Sequence, residues 1–171
     1  MTALLAHSGD AAIMPFLTDA AFPPGWDMAT GRLPREAWPH GSFLALAPLT
    51  GAAACAALHA RAMAAEWRLG PLADAAGRTA AVMVASAVRV CAHLPERPAV
   101  SLWLRSDGRR LLIGAGDASP GPPAAVGPQC PLGTSAAAQH GWHGNRGGKV
   151  CWAVLSATGD SSGERNTQGR K

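Results

Sequence analysis

Apolar positions recur along the chain in two rhythms, one helical and one alternating, and each predicts an element where it holds. Ser42 to Ala47 reads SFLALA, a short apolar run closed by Pro48, as suits an edge strand entering a domain. Between Gly51 and Trp67, Ala residues, Leu58, Met63 and Trp67 return at helical spacing, with Thr50 as a cap and Gly70-Pro71 as a stop. A second helix runs from Leu72 to His93 and is closed by Pro95; Ala80, Val84, Ala87, Val88 and Cys91 give it a packing face of small residues.

After Pro95 the period changes to two. Val100 to Arg105 alternates, Asp107-Gly108 is a strong hairpin signal, and Arg110 to Gly114 returns as the partner strand. Asp117 to Pro131 is dense in Gly and Pro and reads as a long loop. Thr134 to His140 suggests a turn or two of helix, and Lys149 to Leu155 is the last strand. Strands and helices segregate rather than alternate, so the expected architecture is α+β: a two-layer sandwich in which two helices cover one face of a mixed β-sheet. A ligand would sit on the exposed side of the second helix, or under the loop lying over it.

The ends of the chain lack such rhythms. Residues 1–41 hold Pro15, Pro23, Pro24, Pro34 and Pro39 with Trp26 and Trp38 among them, and read as a largely disordered leader. Residues 157–171 are polar and read as a disordered tail, leaving 42–156 as one domain. Composition agrees, since 171 residues suit a single domain, and a 48% apolar share with 5% aromatics and no Tyr describes a core of small side chains.

The formal charge is +4, with Lys only at Lys149 and Lys171 and the Arg residues spread singly or in pairs. A nucleic-acid binder concentrates its basic residues on one face, so that class is disfavoured; its remaining support would be a patch of Arg105, Arg109 and Arg110. No apolar run reaches the length of a membrane span, and the first residues lack the basic stretch of a secretion signal, so the expected location is the cytoplasm.

Cys55, Cys91, Cys130 and Cys151 form no close pair and read as isolated buried thiols. His140 and His143 with Cys130 and Cys151 fit no compact zinc module. Gly147-Gly148-Lys149 is not a phosphate loop, because Val150 stands where Ser or Thr is needed and a strand follows. The stretch from Gly114 fails as a dinucleotide fingerprint, since Ser119 occupies the third glycine place.

The second helix, ADAAGRTAAVMVASAVRVCAH, the hairpin with its loop, LWLRSDGRRLLIGAGDASPGPP, and the closing GGKVCWAVL occur in an order that resembles the histidine-kinase-like ATPase (GHKL) family. More narrowly they resemble the small actinobacterial ATP-binding regulators related to anti-sigma-factor serine kinases. The likeness spans Phe43 to Leu155 and implies that family's fold. Its members carry a Glu, an Asn and a His at successive i, i+4 places on the second helix, the Glu as general base and the Asn as a magnesium ligand. Here Val82, Ser86 and Val90 hold those places. Valine neither takes a proton nor ligates a hard cation, so the resemblance implies a scaffold without its catalytic residues.

The family's adenine-binding Asp corresponds to Asp117, flanked by Gly116 and Ser119; a plainer role for Asp117 is to end a strand and cap a turn. Only Gly127 matches the glycine-rich lid, and Pro128 removes an N–H that such a lid would use. The implied nucleotide-binding residues are therefore Asp117, Ser86, Gly116, Ser119 and Gly127. The implied cofactor is ATP, held weakly or no longer, with the magnesium site in doubt. The expected function is regulation by protein contact, the partner being a sigma factor or an anti-sigma antagonist, or a second copy as a homodimer. The alternatives are an active protein serine kinase of the same family and a basic scaffold or nucleic-acid accessory protein.

Overall fold

A computed structural model describes residues 36–119, 137–145 and 148–156. The expected leader before residue 36, the Gly/Pro loop from 120 with Gly127 and Cys130, and the tail from 157 lie outside the described residues. The elements run β1 (His40–Leu46), α1 (Ala52–Glu66), a 3-10 turn (Gly70–Leu72), α2 (Ala73–Cys91), β2 (Val100–Ser106), β3 (Arg110–Asp117), β4 (Ala137–Asn145) and β5 (Gly148–Ser156).

The five strands form one sheet in the order β1-β2-β3-β5-β4. Every ladder is antiparallel, which corrects the expected mixed sheet. The cause is the number of passes between strands. Two successive helices separate β1 from β2, so the chain reverses three times and β2 runs against β1. β3 and β4 do point the same way, but β5 lies between them and is antiparallel to both.

α1 starts at Ala52 behind Gly51, without a side-chain cap, so Thr50 does not serve as one. It ends in a Schellman turn: Arg68 has φ 60°, the Leu69 N–H donates to the Ala64 carbonyl at 2.7 Å and that of Arg68 to Ala65 at 3.1 Å. The helix lays Ala52, Ala56, Ala60 and Ala64 into the core at four-residue spacing. Such small residues let helices approach closely. At Gly77 of α2 a Cβ would meet Arg61 Nε at 2.8 Å and the Ala57 carbonyl oxygen at 3.2 Å, so a side chain there would have to displace Arg61 and press on α1.

Strand alternation separates the two faces of the sheet. Val100, Leu102 and Leu104 of β2, Leu111, Ile113 and Ala115 of β3, and Ala153 and Leu155 of β5 pack with the helices in the main core. Each fully buried leucine or isoleucine contributes about 2–3 kcal/mol of transfer free energy. The other face carries a smaller cluster of Leu112, Trp152 and Val154, over which Trp38 is buried to 1% exposure. Arg110 lies on the Trp38 ring at 5.1 Å and pairs with Asp107 at 2.7 Å. The fold thus takes up Trp38, His40 and Gly41, which patterning assigns to the leader.

On that second face one register row crosses all five strands: Phe43, Trp103, Gly114, Trp152 and Gly141. The glycines make a floor for the indoles. A Cβ at Gly116 would come within 2.7 Å of the Trp103 ring, and one at Gly141 within 2.7 Å of Trp152. From Ala137 onward the segment expected to be a short helix is strand β4, paired with β5.

Candidate functional site

α2 sorts its residues by face. Thr79, Ala80, Met83, Val84, Ala87 and Cys91 are buried, whereas Val82, Ser86 and Val90 run along one flank, Val82 at 38% exposure and the other two half-buried. The flank is the stripe on which the resemblance places acid, amide and imidazole. Its donor set is one hydroxyl between two valines, so Mg2+ does not fit there: a hard cation needs several oxygen ligands. No proton acceptor stands on the stripe either.

Asp117 closes β3 on the face that carries Ala115 and hence the helices, and Lys149 lies opposite it in register on β5. The Lys149 ammonium donates to Asp117 Oδ1 at 2.9 Å, and the two side chains are only 3% and 5% exposed. The Ser119 N–H donates to the same oxygen at 2.8 Å. Asp117 therefore both caps the turn after β3, as its position in the sequence allows, and neutralises a buried lysine. Both bonds fall on Oδ1.

The remaining sequence candidates divide. Asp117, Ser119 and Lys149 come together; Ser86 is on α2, which packs against β3. Gly116 points the other way, beneath Trp103 on the opposite face, so its lack of a side chain is accounted for by the indole. Gly127 lies outside the described residues. Lys149 is the member that sequence reasoning missed, and its signal would have been the pairing of two strand ends of opposite charge.

Two further groups bear on electrostatics. His59 of α1 meets Ser42 of β1, Nε2 to Oγ at 2.8 Å, and burial lowers its pKa below the ordinary 6.5. In the hairpin turn, burial pushes the Asp107 carboxyl up, but bonds from the N–H groups of Arg110 and Arg109 and from the Arg110 guanidinium outweigh it and hold the pKa below its usual value. The expected arginine patch is partly spent in these contacts: Arg110 serves Asp107 and Trp38, and Arg105 lies across Gly41. Among the described residues no three His, Cys, Asp or Glu side chains gather into a metal-binding group. No described helix is long and apolar enough to cross a membrane.

No known family model and no curated protein matches this chain.

Proposed function

We propose that the protein is a regulator built on a histidine-kinase-like ATPase scaffold that has lost phosphoryl transfer and acts by protein contact, on a sigma factor or its antagonist. The observation that carries this is the α2 flank, where Val82, Ser86 and Val90 offer neither a base nor a magnesium ligand set on a helix whose packing face is intact. The engagement of Asp117 by Lys149 and the Ser119 N–H supports it, because the adenine-side carboxylate is already neutralised within the fold.

Isothermal titration with ATP and ADP, with and without Mg2+, tests the proposal. The expected result is weak or absent binding, equal for the two nucleotides and indifferent to Mg2+, together with no transfer from labelled ATP to a sigma antagonist. Tight, Mg2+-dependent ATP binding overturns it.

A further inference from the structure

We propose that residues 22–26, the FPPGW stretch, dock in cis on the sheet face opposite the helices and present a backbone carbonyl to the indole N–H of Trp103. That face is covered on one half and open on the other. Over β3 and β5, Trp38 is buried to 1% exposure on Leu112, Trp152 and Val154. Over β1 and β2, Phe43 is 55% exposed, Ala45 is exposed and Trp103 is half-buried. Neither strand carries an acidic residue, and Arg105, across Gly41, is the basic side chain of this half.

Trp103 supplies the recognition chemistry. Its benzo edge lies over β3, with Cη2 2.7 Å from where a Cβ at Gly116 would stand and Cε3 3.4 Å from one at Gly114. Nε1 is on the other edge of the indole and is therefore turned away from β3. That nitrogen is buried and has no hydrogen-bond partner among the described residues. An indole N–H can only donate, and when buried it normally finds an acceptor. Phe43, tilted against the same ring at 5.9 Å, completes an aromatic pair. Such pairs are what Pro-rich segments dock on: the rings pack on pyrrolidines, and a polyproline helix has no internal hydrogen bonds, so its carbonyls are free to accept. In the docked state the Phe43 ring, more than half exposed, turns to admit the carbonyl and packs on a proline.

The chain's own leader fits this surface. Residues 1–31 contain Asp10, Asp19 and Asp27 and no Lys or Arg, so an acidic segment meets the half of the face that bears Arg105 and no acid. Pro23-Pro24 favours the polyproline conformation, and Phe22 and Trp26 flank it with apolar rings. Reach agrees as well. Trp38 already lies on this face, about 12 Å from Phe43: two strand spacings across and one register row along. The eleven residues 27–37 between Trp26 and Trp38 span that gap with slack, since each extended residue covers about 3.3 Å. A motif tethered so closely meets its site at about millimolar effective concentration, and a modest contact suffices.

Nuclear magnetic resonance on the isotope-labelled full chain, at two protein concentrations about tenfold apart, tests this. Backbone order parameters of Phe22, Gly25 and Trp26 should lie near about 0.85 at both concentrations, as in rigid backbone. Pro23→Ala combined with Pro24→Ala should bring them below about 0.6, the range of a flexible segment, and so should Phe43→Ser. Trp103→Phe keeps a ring over the glycines and removes only the donor, and it should loosen the motif in the same way. Unchanged amide shifts of α1 and α2 in each variant separate loss of docking from loss of fold. Order parameters below about 0.6 in the unaltered chain, order that grows with concentration and so comes from a second copy, or order that survives any of these variants overturns the proposal.

Discussion

Lys149 shows how one side chain can decide the meaning of another. Taken alone, Asp117 is equally a ligand carboxylate and a turn cap; opposite Lys149 it becomes half of a buried ion pair at 2.9 Å. Removing one member of such a pair strands a charge and costs about 3–5 kcal/mol, whereas removing both is close to neutral. Lys149→Met should therefore lower the unfolding free energy by about 3–5 kcal/mol, and Asp117→Leu added to it should restore most of the loss. Chemical denaturation of the two single variants and the double variant checks this, and additive losses would contradict it. The sequence discloses Asp117 but not its partner, because the two residues are 32 positions apart and meet only through the register of β3 and β5. The valine flank of α2 is legible, by contrast, because i, i+4 spacing is a local property of a helix.

At the scale of elements, legibility follows how local the determining interactions are. Both long helices and the β2–β3 hairpin can be read from period and turn chemistry to within a few residues. β4 cannot. Its sequence, AAQHGWHGN, carries two glycines and two histidines and no clean alternation, so its strand form comes from pairing with β5. The glycine floor shares this non-local origin. Gly116→Ala would press a methyl group to within 2.7 Å of the Trp103 ring, forcing the indole to lift. A loss of about 1–3 kcal/mol and a weakened near-ultraviolet dichroism of tryptophan are the expected results. An unchanged spectrum would show that the ring does not depend on that floor.

For the whole molecule, acid should destabilise in two stages. The His59 pKa is lower in the fold than its unfolded value of 6.5, so the unfolded chain binds the proton first; stability is full above that value and declines as pH falls below it. Asp107 is also depressed, and the stability it contributes persists above its ordinary value of 3.8 and is lost at lower pH. Melting temperatures from neutral pH to pH ~3 should therefore fall in two steps. In a His59→Gln chain the first should vanish and the second remain; a first step that persists would assign it to another group.

The same whole-chain view explains why a mixed sheet is expected and an antiparallel one found: strand direction depends on how many passes separate two strands, a count that windows of local sequence do not register. It also bears on the order of assembly. The two strands that flank β5 are both synthesised before it, so among the described strands β3 then has an unpaired side and β4 has no neighbour. The insertion of β5 joins them, which makes completion of the described sheet a late event of long sequence reach and leaves the growing chain dependent on β5.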